Sequence, residues 1–231
     1  MLINNLNILY EDNHIIVVVK PKDILSQKDS TNDIDILTIV KEYLKEKYQK
    51  PGNVYLGLVH RLDRRVGGVM VLAKTSKGAA RLSESIKSGA FKKKYLAICL
   101  GLVESDTLIN NLEKVDKVSK DSSEGKLAIL NYRLIKKISI DDTDFSLVEV
   151  ELLTGRYNQI RSQFSLINHP LLGDYKYGYR GKNYFDDIGL FSYYLSFPHP
   201  ITKEIMEFTY LPDCGIWKMV EVKNKWRKLN Y

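Results

Sequence analysis

Residues 60–75 read HRLDRRVGGVMVLAKT, and this stretch decides the fold prediction. The preceding VYLGLV (54–59) predicts a strand that leads into it, and VMVLAK (69–74) predicts a second strand after the paired glycines. Thr75 or Ser76 then begins a predicted helix that ends near Lys87, before Ser88 and Gly89. The sequence therefore predicts a polar, charged loop between two apolar strands.

Within HRLDRR (60–65), an extended backbone would place Arg61, Asp63 and Arg65 on one face, with His60 and Leu62 opposite. A carboxylate between guanidinium groups is ionised at neutral pH and is available as a nucleophile or general base. By spacing alone, an exposed ion cluster without catalytic function remains an equally simple interpretation.

Outside this stretch, alternating apolar patterns and turn residues predict more strands and helices. Residues 104–125 are expected to form an irregular excursion, a long loop without regular secondary structure. Asp35 is expected to cap a helix over 36–48. The predicted strands cover 8–12, 15–21, 94–101, 127–138, 145–153, 190–197 and 204–210. No flexible linker interrupts the pattern, so we predict one compact α/β or α+β domain over 1–231 with a mixed sheet.

The segment TGRYNQIRSQ (154–163) is typical of a glycine turn that runs into a helix. The free amides and the dipole at a helix N-terminus favour an anion such as phosphate. Tyr157, Asn158 and Arg161 would then share one side of this helix. The alternative is a capped amphipathic helix whose arginine is simply solvated.

The segment FKKKYLAI (91–98) also has two interpretations. Lys92 to Lys94 are consistent with a solvated strand edge that resists aggregation. An aromatic residue after a basic run is equally consistent with phosphate contact and base stacking. By its position in a strand, Tyr95 is more typical of a core residue than of a catalytic one.

Net charge is concentrated in this same part of the chain. The protein has 231 residues with 35 Lys+Arg and 28 Asp+Glu, a net charge of +7. Residues 60–95 contain ten basic and two acidic side chains, so the other 195 residues carry 25 basic and 26 acidic groups. An excess confined to one stretch indicates a defined anionic partner.

Composition excludes several classes of protein. A hydrophobic content of 44% is too high for a disordered chain. The longest aliphatic run, Ile15 to Val19, is too short for a membrane helix, and no secretory signal is visible at the N-terminus. Cys99 and Cys214 cannot form a disulfide framework, and no metal-ligand or nucleotide-binding motif is present. We therefore expect a soluble, cytoplasmic, monomeric protein without a metal or cofactor.

Four segments, in order along most of residues 8–210, resemble the RluA-type RNA pseudouridine synthases. They are KPKDILSQ (20–27), HRLDRRVGGVMVLAKT (60–75), KKKYLAI (92–98) and LLTGRYNQIRSQFSLINHPLLGDYKYG (152–178). The resemblance implies an α+β pseudouridine synthase fold, with a mixed, mostly antiparallel sheet in two halves flanked by helices and a central RNA-binding cleft. It also implies that no metal or cofactor is used, and that the added N-terminal RNA-binding domain of many relatives is absent.

The resemblance further assigns roles to individual residues. Asp63 would be the catalytic aspartate, Tyr95 would lie against the target base, and Arg161 would be the basic partner of Asp63. Arg61 would support the flipped nucleotide and its loop. The residues expected to bind substrate are His60, Arg61, Leu62, Arg64, Arg156, Gln159, Lys92 and Lys94.

The sequence also departs from the family pattern. Val66 and Gly67 stand where many members have Thr-Ser, and Asn158 and Gln163 replace histidines that are frequent in the third motif. Asn and Gln form hydrogen bonds but cannot take up charge near neutral pH.

The resulting functional prediction is isomerisation of specific uridines to pseudouridine in structured RNA, with rRNA slightly favoured over tRNA. The first alternative is a non-catalytic RNA-binding or ribosome-assembly protein, which would need the basic surface but not Asp63. The second is a nucleoside or glycoside hydrolase. A hydrolase normally needs a second carboxylate as acid, and the motif segments nearest Asp63 offer none.

Overall fold

The computed structural model of the protein describes residues 6–222. These residues form two compact units. The first contains residues 6–92 together with Tyr194–Tyr210, and the second contains Lys93–Tyr193 and residues 211–222.

The first unit combines short antiparallel strands with two helices. Its strands are β1 (Asn7–Glu11), β2 (Ile15–Lys20), β3 (Gly57–Leu58), β4 (Gly67–Ala73) and β11 (Ile205–Thr209). Its helices are α1 (Ile36–Lys47) and α2 (Ser76–Lys87). Strand β2 pairs with β1 on one side and with β4 on the other, and β3 also pairs with β4.

Both helices of the first unit begin where a side chain satisfies a free backbone amide. The Asp35 carboxylate accepts from the Thr38 amide at 3.1 Å, and the Thr75 hydroxyl accepts from the Gly78 amide at 3.0 Å. The predicted caps and helices are confirmed. The apolar core of this unit is formed by Ile15, Val17, Val69, Val71, Ala73, Leu82, Phe91, Leu195 and Phe197.

The second unit is built around long antiparallel strands. They are β5 (Lys92–Leu100), β6 (Asp106–Val115), β7 (Val118–Asp121), β8 (Lys126–Ile140) and β9 (Thr143–Leu152). Within it the pairing order is β5-β9-β8-β6-β7, and α3 (Gln159–Leu166) and α4 (Gly215–Met219) complete it. The Phe164 ring of α3 packs at 5.1 Å from the Tyr132 ring of β8. Strand β10 (Leu190–Pro198) is divided between the units and pairs with β11 through Tyr194–Pro198.

Residues 104–125 correct the prediction of an irregular excursion, because they form the β6–β7 hairpin. Its two-residue turn, Asp116–Lys117, has positive φ at both positions (48° and 63°), as tight hairpin turns require. Strand β6 also pairs with β8 along seven residues. Few apolar side chains are needed here, since one face of an antiparallel sheet can remain in water.

Two predicted boundaries are also corrected. The strand expected over 54–59 is reduced to β3, Gly57–Leu58. The helix expected from Gly155-Arg156 begins at Gln159, because Asn158 adopts a left-handed conformation with φ of 49°. Tyr157 and Asn158 therefore precede the helix and do not share a helical face with Arg161.

The predicted α+β class with a mostly antiparallel sheet is confirmed by the pairing within each unit. Within residues 6–222, no helix is long and apolar enough to cross a membrane.

Candidate active site

In the first unit, the chain turns at Asp63 and does not continue as an extended strand. The Arg65 amide donates to the Asp63 Oδ1 at 3.0 Å, and the Val66 amide donates to the Asp63 carbonyl at 3.1 Å. An aspartate that binds the backbone two residues ahead stabilises such a turn. The expected alternation holds for exposed Arg61, buried Leu62 and half-buried Asp63, and it is wrong beyond them.

Lys20, the last residue of β2, and Ser26, in the segment that follows, hold this turn through hydrogen bonds. The fully buried Lys20 ammonium donates to the carbonyls of Pro21, Ile24 and Arg64 at 2.8, 2.7 and 3.2 Å. The Ser26 hydroxyl donates to the Leu62 carbonyl at 2.7 Å and accepts from the Leu62 amide at 3.1 Å. The loop that carries Asp63 is thus fixed through its backbone on both sides of the aspartate.

Lys20 also brings a buried positive charge close to the loop. Burial lowers the pKa of Lys20 to about 8, and the negative charges of Asp63 and Asp23 oppose this shift. Lys20 lies in the Lys-Pro segment of the family pattern, and no role was predicted for it. The feature of the sequence that could have indicated its role is a lysine at the end of an apolar strand, directly before a proline.

The other predicted residues of the HRLDRR stretch differ in their surroundings. His60 accepts from the Val71 amide through Nε2 at 3.1 Å and packs against Phe91, with ring centroids 5.4 Å apart. Arg64 is exposed and pairs with Asp33 at 2.5 Å. Arg61 is exposed and makes no hydrogen bond or ion pair with the residues that the structure describes. Of the three, Arg61 is the side chain most available to an external anion.

In the second unit, Tyr95 is a buried residue of β5, 6% exposed. Burial raises the pKa of its phenol to about 12, and a hydrogen bond from Ser192 opposes the shift. The hydroxyl is therefore protonated at neutral pH. Ser192 is fully buried, and no local pattern predicts its contact with Tyr95.

The lysines before Tyr95 are in different environments. Lys92 is exposed, whereas the Lys94 ammonium lies 3.6 Å from a carboxylate oxygen of Glu149. A phosphate group could therefore bind the ammonium of Lys92 directly, whereas the charge of the Lys94 ammonium is partly neutralised by Glu149.

Arg161 and Asp174 form a buried ion pair in the second unit. The guanidinium Nε lies 2.7 Å from Oδ2 and its Nη2 lies 2.6 Å from Oδ1. The guanidinium also lies over the Tyr177 ring at 4.8 Å from its centroid. No local pattern around Gly173-Asp174 predicts this contact. Asp63 belongs to the other unit, and its predicted pairing with Arg161 stays a prediction.

The Thr-Gly-Arg turn is organised by Gln159. Its Oε1 accepts from the Thr154 hydroxyl and the Arg156 amide, each at 2.9 Å, and its Nε2 donates to Gln163 at 3.1 Å. Both ends of the amide are thus engaged within the protein. The Arg156 side chain donates through Nε to the Leu127 carbonyl at 2.8 Å. Contact of Gln159 and Arg156 with substrate stays a prediction.

Gln163, one of the departures from the family pattern, is fully buried and bridges α3 to two strands. Its Nε2 donates to Asn110 at 2.9 Å and to the Ala128 carbonyl at 3.2 Å. A neutral amide suits this place, since it donates and accepts together.

The chain is similar to proteins of a known family. Residues 14–166 match the family described as RNA pseudouridylate synthase. Ribosomal large subunit pseudouridine synthase D of Vibrio vulnificus is 31% identical over 242 residues, covering 96% of this chain and 71% of that protein. Ribosomal large subunit pseudouridine synthase C of Rickettsia prowazekii is 34% identical over 178 residues, covering 74% of this chain but only 56% of that protein. The chain thus spans only part of the length of these relatives.

Solved structures show the same fold. Human RNA pseudouridylate synthase domain containing 4 aligns with a TM-score of 0.77 and 21% identity, covering 96% of this chain and 95% of that one. Human RNA pseudouridylate synthase domain containing 1 aligns with a TM-score of 0.73 and 22% identity, covering 91% of this chain and 85% of that one.

The fold and the matched motifs define a class of isomerases that act on RNA. The chain belongs to the RNA pseudouridylate synthase family, in its RluA-type branch. The predicted family, RNA partner and enzyme class, an RNA pseudouridine synthase, are confirmed, and a non-catalytic RNA-binding protein is not favoured.

Proposed function

We propose that this chain converts uridine to pseudouridine in the RNA of the large ribosomal subunit, and that Asp63 is the catalytic carboxylate. The choice of RNA is supported by the names of the curated relatives, synthases C and D of the large subunit. The observation that carries the assignment of Asp63 is its position in a turn whose backbone is fixed by Lys20 and Ser26. Fixed backbone on both sides holds one carboxylate in a defined orientation.

The reaction is an isomerisation that needs no net oxidant, reductant or water. The N1–C1′ bond of uridine breaks, the uracil rotates, and a C5–C1′ bond forms. The proton on C5 is lost and N1 gains one, so atoms and charge balance.

Two roles of the Asp63 carboxylate are compatible with this balance. It either adds to C1′ as the N1–C1′ bond breaks, or removes a proton from the ribose. RNA carrying deuterium at the ribose C2′ separates them, because only removal of that proton in the slow step gives a primary kinetic isotope effect.

For Tyr95 we propose contact with the uracil and control of the C5 proton. Because its phenol pKa is raised to about 12, the phenolate is rare at neutral pH. We therefore assign the hydroxyl the task of orienting a water that accepts the C5 proton. Arg161 is proposed to support the Asp63 carboxylate, with its own orientation set by Asp174.

RNA binding is assigned to the basic stretch 60–95. A uridine must leave its stack before it can react, at a cost of roughly a few kcal/mol. Phosphate contacts offset this cost, and exposed Arg61 and Lys92 are available for them. We also propose that the substrate site is lined or supported by His60, Leu62, Arg64, Arg156, Gln159 and Lys94.

We propose that residues 1–231 form one catalytic domain that acts as a cytoplasmic monomer. The family match across residues 14–166 includes parts of both units, which supports a shared function.

The direct experiment measures release of tritium from RNA labelled at C5 of uridine. Large-subunit rRNA transcripts and tRNA transcripts are offered separately to the folded protein. We expect release from the rRNA and little from the tRNA. Release from tRNA alone contradicts the choice of RNA, and no release from either contradicts the activity.

A further inference from the structure

Lys93, which lies between two predicted substrate-binding lysines, is a cation to which the proposed function gives no role. The side chain is half-buried, and among the described residues it makes no hydrogen bond or ion pair. Burial lowers the pKa of its ammonium. Partly removing a charge from water without a compensating partner is unfavourable for folding.

The strand register explains why Lys93 has no carboxylate partner within residues 6–222. In the β5–β9 pairing, Lys94 lies opposite Glu151 and Tyr95 lies opposite Val150. Directly opposite residues share a face of the sheet, and the face alternates along each strand. The carboxylate of Glu149, two residues from Glu151, is therefore on the face of Lys94, where it pairs with that lysine.

Lys93 is on the other face, together with Tyr95, two residues further along β5. The residue opposite Tyr95 there is the buried, apolar Val150. The unpaired cation and the phenol proposed to contact the uracil thus project from the same side of one strand.

Gly155 leaves space beside this cation. A Cβ atom at Gly155 would lie 3.3 Å from the Lys93 Nζ, so a side chain there would crowd the ammonium. Gly155 itself is exposed, which means that the ammonium lies next to a solvent-accessible part of the Thr-Gly-Arg turn. A phosphate oxygen can approach over a glycine more closely than over any other residue.

We propose that Lys93 binds a backbone phosphate of the RNA strand, next to the nucleotide whose base contacts Tyr95. The inference rests on the proposed function, since it places the phosphate relative to the reacting uridine. Lys94 is less suited to this phosphate contact, because its ammonium already pairs with Glu149.

The test compares Lys93→Met with Lys137→Met. Lys137 is an exposed lysine of the same unit that pairs with Glu104 at 3.1 Å, and no role in catalysis or RNA binding is proposed for it. For each protein, the dissociation constant for a large-subunit rRNA transcript is measured as a function of salt, and stability is measured by urea unfolding.

For Lys93→Met we expect an unfolding midpoint equal to or above that of the wild type, because an uncompensated charge is removed. RNA binding should weaken about 10-fold at low salt, as expected for loss of a charged hydrogen bond. The slope of log K against log salt should fall by about 0.7, the value for one phosphate contact on a single strand. Lys137→Met should match the wild type in affinity and in salt slope.

A third variant, Lys93→Arg, keeps the charge and should retain the wild-type salt slope. Wild-type affinity and slope in Lys93→Met overturn the inference, as does loss of folding in both Lys93→Met and Lys93→Gln, which would make the lysine structural. These results are independent of turnover. Absence of tritium release by the wild type contradicts the proposed function and leaves the binding comparison interpretable.

Discussion

Asp174 binds the guanidinium of Arg161 through both of its carboxylate oxygens, at 2.7 and 2.6 Å. Both residues are almost completely buried, with exposed fractions of 0% for Asp174 and 4% for Arg161. A bidentate pair fixes the plane of the guanidinium as well as its position. The geometry therefore holds in place the guanidinium that we propose as the partner of the Asp63 carboxylate.

Replacing Asp174 with Asn should therefore cost both stability and activity. Leaving Arg161 as an uncompensated buried charge is expected to destabilise the protein by about 3–5 kcal/mol. The free energy of unfolding in urea measures this. Asp141→Asn is the matched control, since it breaks an exposed pair with Lys182 and should leave the unfolding midpoint nearly unchanged. Equal stability of the two variants would contradict a structural role for the buried pair.

The lowered pKa of Lys20 should make the free energy of unfolding increase as pH rises. Its pKa is about 8 in the folded protein, against 10.5 for an ordinary lysine. Between these values the unfolded chain binds more protons, so this residue makes the folded state more stable as pH rises. Lys20→Met removes that contribution, and its stability relative to the wild type should fall between pH 7.5 and pH 10.

Urea unfolding of the two proteins at both pH values tests this. Exposed Lys28→Met is the control and should show no such pH-dependent difference. Lys20→Met should also lower kcat more than it raises KM, because the loop carrying Asp63 loses a backbone anchor. A pH-independent difference in stability between Lys20→Met and the wild type would contradict the assignment.

Tyr95→Phe separates the aromatic ring from the hydroxyl. The ring should continue to support RNA binding, while loss of the hydroxyl should slow transfer of the C5 proton by about 10²-fold or more. Single-turnover tritium release at saturating RNA measures this step directly. Tyr132→Phe removes a comparable buried phenol in the same unit and should release tritium at the wild-type rate. Wild-type release by Tyr95→Phe would remove the hydroxyl from the mechanism.

Most of the fold was predictable because its elements carry local signals. Apolar periodicity located α1 and the long β8–β9 hairpin, and the side chains of Asp35 and Thr75 marked helix starts. The β6–β7 hairpin was missed because its strands are stabilised by backbone pairing, of β6 with both β7 and β8, and bury few apolar residues. Propensity alone does not register that pairing.

The site was predictable as a set of motifs and much less as a set of contacts. The resemblance assigns roles to Asp63, Tyr95 and Arg161, and these assignments stay predictions. The residues that contact their surroundings come from elsewhere in the sequence. Lys20 is 43 residues from Asp63, and Asp174 is 13 from Arg161. Such pairings are made by tertiary structure, and no local spacing in the sequence encodes them.

The most direct test of the account is tritium release by Asp63→Asn, with binding of the same rRNA transcript measured in parallel. Asn keeps the shape of the side chain and the acceptor for the Arg65 amide, but it removes the negative charge. We predict that RNA binding is largely retained and that tritium release is lost. Release at the wild-type rate by a folded Asp63→Asn variant would contradict the central claim that this carboxylate performs the reaction.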